Sequence, residues 1–149
     1  MSQGLAIIMR GLPGSGKSHW ITQFIQGLPL EQAIRLKQHG IFSTDSYFYQ
    51  DGEYRFDAKK LPEYHQRNLS AFIQALGRNE PIVICDNTNI CGWEYMAYVA
   101  AAKALSYQVR MMLIGNPLDM AHQRQCAERN QHQVPLNQIQ RMAKLFEPF

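Results

Sequence analysis

The sequence predicts an α/β fold of three layers, with a mostly parallel sheet of four or five strands between helices. Two features predict it. Short unbroken apolar runs (Leu5-Ala6-Ile7-Ile8-Met9, Ile82-Val83-Ile84-Cys85 and Val109 to Ile114) suit strands covered on both faces. Between them lie segments with apolar residues at helical spacing, the alternation that parallel strands need for their crossovers. At 149 residues, 46% hydrophobic and 18% charged, the chain is expected to form one domain, 1–149, around a single core. This composition excludes a disordered chain. No stretch approaches the roughly 20 apolar residues of a membrane span, and Met1-Ser2-Gln3-Gly4 carries no basic leader. Cys85, Cys91 and Cys126 have no metal-site spacing and cannot all pair, so free thiols in a cytoplasmic protein are expected. Cys85, inside an apolar run, reads as a small core residue. The net charge of +3 and pI near 8.8 permit an anionic substrate without requiring nucleic acid.

Directly after the first apolar run comes Gly11-Leu12-Pro13-Gly14-Ser15-Gly16-Lys17-Ser18, which fits G-x-x-x-x-G-K-[ST], the phosphate-binding loop. Gly11, Gly14 and Gly16 allow the main chain to approach a phosphate, and Pro13 and Ser15 complete the cradle. Backbone N–H groups and the helix N-terminus then face the anion. Lys17 supplies a positive charge for the β and γ phosphates, and the Ser18 hydroxyl is placed for Mg²⁺. The expected ligands are therefore ATP, or another nucleoside triphosphate, and Mg²⁺. Trp20, Phe24 and Ile25 continue as a helix that Gly27 and Pro29 end.

A second short helix carries Leu30, Ala33, Ile34 and Lys37, and Gly40 closes it. Ile41 to Thr44 reads as the second strand, with Asp45 just past it. Asp45 either caps the next turn or faces the ligand crevice beyond the strand ends. Tyr47 to Phe56 clusters aromatics round Asp51-Gly52, either a base-stacking surface or a loop folded onto the core by its rings. Pro62 to Arg78 is an amphipathic helix with Leu69, Phe72, Ile73 and Leu76 on one face and His65 near its start. The strand Ile82–Cys85 ends in Asp86, the form of an acid that supports Mg²⁺. Asn87-Thr88-Asn89 is suited to holding a loop at the top of the sheet. Trp93 to Ala104 reads as a helix, Val109 to Ile114 as a buried strand, and Pro117 to the end as strandless. Met120 to Asn130 is a helix whose Arg124 and Arg129 stand about 140° apart. Val134-Pro135 breaks it, and Leu136 to Phe146 forms the last helix. That order is the make-up of a lid over a triphosphate; the other reading leaves both arginines solvated.

The ordered set of the phosphate loop, Ser43-Thr44-Asp45, Asp86-Asn87-Thr88-Asn89, Arg129-Asn130 and Val134-Pro135 resembles the polynucleotide 5′-hydroxyl kinase branch of the P-loop kinases. It is especially similar to the branch's short ATPase-like proteins, which carry something like Asp51 to Asp57. The resemblance implies the three-layer α/β/α P-loop fold of kinase type and phosphoryl transfer to a 5′-hydroxyl end of a nucleic acid or nucleotide. It implies Lys17 and Ser18 on phosphate and magnesium, Asp45 as the base on the attacking hydroxyl, and Asp86 and Asn87 at the polar end of the third strand. It implies Arg129, with Arg124 as a neighbour, at the start of the lid. Phe48 stands where phage-type enzymes hold a substrate-gripping arginine, and the short lid Gln131-His132-Gln133 lacks theirs. Arg55, Asn87 and Asn89 are the candidate substrate contacts that remain. Two other readings stay open: a small-molecule kinase on the same fold, and a slow ATPase that engages a protein partner.

Overall fold

The alternation of side chains along one central strand builds the molecule. The computed structural model describes residues 3–148; Met1, Ser2 and Phe149, the outermost residues of the predicted domain, lie outside the described residues. Along the chain run β1 (Leu5–Arg10), α1 (Lys17–Gln26), α2 (Leu30–His39), β2 (Ile41–Phe42), β3 (Tyr49–Gln50) and β4 (Glu53–Tyr54). Then follow α3 (Leu61–Gly77), β5 (Ile82–Cys85), α4 (Gly92–Ala104), β6 (Gln108–Leu113), α5 (Met120–Arg129) and α6 (Leu136–Leu145). The main sheet is all parallel, with four strands in the order β2-β5-β1-β6. Tyr49 to Tyr54 forms a separate antiparallel hairpin of β3 and β4.

In β1, Ala6 and Ile8 face α3 and α4, packing with Val83, Cys85, Phe72, Leu76, Tyr98 and Ala102. Ile7 and Met9 face the other way, with Ile84 against Ile21 and Ile25 of α1 and Leu36 of α2. Period-2 alternation thus sends one strand into two cores, giving the α/β/α layers. Cys85 is fully buried, the core residue expected. A third, smaller core joins Leu12 of the phosphate loop to Ile90, Cys126 of α5, and Ile139 and Ala143 of α6.

Two expected strands differ. The segment read as a buried strand, Val109 to Ile114, is the half-exposed edge strand β6, because it pairs with β1 alone. The second strand stops at Phe42 rather than Thr44. The Thr44 N–H leaves the ladder and donates to Asn87 Oδ1 at 2.9 Å, and Thr44–Phe48 coils into a 3-10 turn.

Candidate functional site

The carboxyl ends of β1, β2 and β5 lie side by side, and each delivers part of a cleft of about 1050 Å³. From β1 the chain enters the phosphate loop. Gly14 (φ +78°) and Gly16 (φ +109°) both take left-handed backbone, and Gly16 caps α1. A Cβ at Gly14 would strike the Cys126 carbonyl and come within 2.9 Å of Asn130 N, so only glycine lets the loop lie against the end of α5. The first N–H groups of α1 have no acceptor within the helix. Lys17 Nζ donates to the Gly11 and Leu12 carbonyls, each at 2.9 Å.

From β5 comes Asp86. Burial pushes its carboxyl above the usual range, against the pull of Lys17 and with the help of Asp45. Burial likewise pushes the Lys17 ammonium down, with Asp86 its strongest opposing influence. Each charge is costly in this low-dielectric site, and each is the other's principal compensation.

From β2 comes Asp45, on the 3-10 turn, its side chain half exposed to the cleft. Two contacts hold the preceding residue. Asn87 accepts the Thr44 N–H, and Thr44 Oγ1 lies 3.0 Å from His65 Nδ1 of α3. The α5–α6 loop then reaches across. His132 Nδ1 stands 3.7 Å from Asp45 Oδ2. Its ring stacks on Tyr54 (centroids 3.7 Å, planes 3° apart), and Tyr49 Oη lies 3.2 Å from His132 Nε2. Burial, then the Asp45 carboxylate, pushes the Tyr54 hydroxyl up to about 12. Asn130 shapes the loop: its Nδ2 faces the Cys126, Ala127 and Val134 carbonyls at 3.0–3.1 Å, and its Oδ1 accepts Val134 N–H at 2.7 Å.

The cleft therefore gathers Pro13, Gly14, Gly16, Lys17, Ser18, Asp45, Asp86, Asn87 and Arg129. Gly11 and Ser15 lie buried within the loop rather than on the cleft wall. Arg129 donates to Gln125 Oε1 at 2.6 Å. Asn89 borders the cleft, but its Nδ2 turns inward to the Met9 carbonyl at 2.7 Å. Arg124 and Arg55 are exposed and not among the lining residues; Arg55 pairs with Glu53 at 3.0 Å. Within the aromatic segment Phe48 folds onto the core, 1% exposed against Tyr64 and Phe56, while Tyr49 and Tyr54 line the cleft.

Sequence reasoning missed Arg10. Fully buried, it lies between the Tyr95 and Phe146 rings (4.6 and 4.4 Å from their centroids) and donates to the Asn89, Ile90 and Glu147 carbonyls. The available signal was a charge closing an otherwise apolar strand directly before the loop.

The residues present fit a nucleotide with magnesium. The left-handed glycines and open helix N-terminus suit phosphate. Among the described residues no cluster of three His, Cys, Asp or Glu could hold a metal. One hydroxyl and one carboxylate, Ser18 and Asp86, suit a Mg²⁺ that keeps phosphate and water ligands.

The AAA domain family matches residues 7–149. Human NEDD4-binding protein 2 is 34% identical over 145 residues, covering 96% of this chain, which spans 8% of that protein's length. Among solved structures, a chain of the Pnkp1/Rnl/Hen1 complex is 20% identical with TM-score 0.59, covering 81% of this chain and 38% of that one. A gluconokinase from Sinorhizobium meliloti 1021 is 15% identical with TM-score 0.58, over 99% and 78%. Chaetomium thermophilum Kti12, in complex with ADP-AlF3, is 18% identical with TM-score 0.59, over 96% and 80%. The chain belongs to the AAA domain family, with the fold of the P-loop kinases.

Proposed function

We propose that this protein is a Mg²⁺-assisted kinase that moves the γ-phosphoryl group of ATP to a hydroxyl, at the 5′-hydroxyl end of a nucleic acid or nucleotide. The observation that carries the reading is the convergence of Lys17, Asp86 and a cleft-facing Asp45 on one cavity. ATP with Mg²⁺ supplies the phosphoryl group. Ser18 and Asp86 hold the metal, and Lys17 and the loop N–H groups hold the phosphates and offset their charge. Asp45 takes the proton from the acceptor hydroxyl, its backbone steadied through Thr44 by Asn87 and His65. Arg129 adds positive charge from the end of α5. Arg124 lies outside the cleft, so the proposal rests on Arg129 alone. Among the described residues no helix is long and apolar enough to cross a membrane, and the three cysteines are unpaired, which supports work in the cytoplasm.

One observation favours a small-molecule acceptor instead. Phe48, where the resemblance places a gripping arginine, is buried as the anchor of the hairpin. The open cleft beside Asp45 favours either kinase reading over a protein-binding switch.

Transfer of labelled γ-phosphate from ATP to 5′-hydroxyl DNA and RNA oligonucleotides tests the proposal. Asp45→Asn is expected to abolish transfer while leaving ATP affinity nearly unchanged. Undiminished transfer by the variant, or loss of ATP binding with it, would remove Asp45 as the base. Lys17→Ala is expected to weaken ATP binding and turnover together.

A further inference from the structure

A second cavity, of about 550 Å³, opens between the N-terminal ends of α3 and α4, a volume within the range of small-molecule sites. Its walls are largely apolar, with Leu61, Leu69, Ala97 and the Trp93 ring, which is 73% exposed. Leu61, His65 and Glu94 line both this cavity and the phosphate cleft, so the two adjoin along these side chains. His65 is also the group that contacts Thr44, next to Asp45. A molecule seated between α3 and α4 therefore lies against the same His65 that contacts the residue before the proposed base.

The lining chemistry narrows the occupant. No Lys or Arg lines this cavity, and Glu94 brings a carboxylate to its rim, where its Oε2 accepts the Cys91 N–H at 3.0 Å. That combination disfavours a phosphate or a sugar acid, whose charge would meet Glu94. An exposed indole beside a carboxylate instead suits a flat, uncharged ring bearing N–H donors. Bases stack on aromatic faces, and a carboxylate accepts from an exocyclic amino group.

We propose that this cavity holds the base of the acceptor's terminal nucleotide, stacked on Trp93 with its amino group toward Glu94 and its 5′-hydroxyl directed to Asp45. This rests on the kinase reading and names the acceptor's class: a nucleobase with an exocyclic amine, on a free nucleotide or at a strand end.

Fluorescence of the intact protein tests it without ATP, using the 3′-monophosphates of cytidine, adenosine and uridine, with gluconate as control. The cytidine and adenosine compounds are expected to quench, with uridine about tenfold weaker and gluconate inactive. The response should vanish in Trp93→Phe if Trp93 rather than Trp20 reports it. Read by calorimetry, which needs no indole reporter, Trp93→Ala should weaken cytidine binding about tenfold to a hundredfold. Glu94→Gln, which keeps an acceptor for the Cys91 N–H, should level cytidine and uridine. A tighter response to a short oligonucleotide supports a strand end as the source, and an equal response supports the mononucleotide. No quenching by any nucleotide while ATP still binds, equal quenching by gluconate, or unchanged affinity in Trp93→Ala would overturn the site. Quenching without phosphoryl transfer would uphold the site and sink the kinase reading. Transfer that Trp93→Ala leaves untouched would do the reverse.

Discussion

At Gly14 the loop's chemistry and its packing make the same demand, and the two can be separated by substitution. Gly14 and Gly52 have similar left-handed φ angles, +78° and +81°, but a Cβ at Gly52 would meet nothing within 4 Å. Gly52→Ala should therefore cost about 1 kcal/mol from backbone strain alone. Gly14→Ala should cost at least about 2 kcal/mol in urea unfolding and weaken ATP binding as well, because the loop must lift off α5. Equal costs would show that α5 yields to the added methyl. His65 carries a pH signature. Burial pushes its imidazole below the ordinary 6.5, against the pull of Glu94 and Asp45. The folded state thus prefers the neutral ring. Its contribution is complete above pH 6.5 and is lost as pH falls through the lower folded value. The melting temperature should drop between pH 7 and 5, and drop less in His65→Gln. His122, shifted the same way by burial, keeps some slope in that variant.

At the scale of elements, the contact between the β3–β4 hairpin and the α5–α6 loop stands out. His132 lies against Tyr54 and Tyr49 and faces Asp45, while Asn130 fixes the loop's start to Val134. The two segments form one unit over the proposed base. Replacing His132 by Ala should speed amide exchange at 49–54 and 130–134 together, with α3 unaffected. Acceleration confined to 130–134 would show that the hairpin stands on Phe48 alone.

The whole molecule is tied together at Arg10. The Asn89 and Ile90 carbonyls that it holds belong to the turn after β5, and the Glu147 carbonyl to the segment after α6. Glu147 completes the tie through N–H to the Ile90 carbonyl and through Oε2, which accepts the Gly92 N–H. Arg10→Met would strand buried acceptors and should cost about 3 kcal/mol. For a chain of this size that is a melting temperature roughly 10 °C lower. Arg10→Lys should recover little, since an ammonium offers neither the planar stack nor the fork. A fall of only a degree or two in Arg10→Met would show that the carbonyls find other donors.

The elements with short-range causes were legible in the chain. The glycine loop, the helix that follows it, the buried strand ending in Asp86 and the apolar face of α6 all depend on residues within about one turn or one strand of each other. Length and exposure of strands were less legible. That β6 is an edge, and that β2 ends early, depends on which strand lies beside it and on Asn87, far along the chain. The same holds for the site. Residue order alone proposed Lys17, Ser18, Asp45 and Asp86 as site residues, because their types suit phosphate and metal, and all four line one cleft. Only the packed structure decided that Asn87 and His65 brace Thr44, that His132 faces Asp45, that Arg124 and Arg55 stand outside, and that Arg10 joins the end of α6 to the sheet. Those contacts follow from register and layer packing, which bring together residues whose separation in sequence carries no periodic trace.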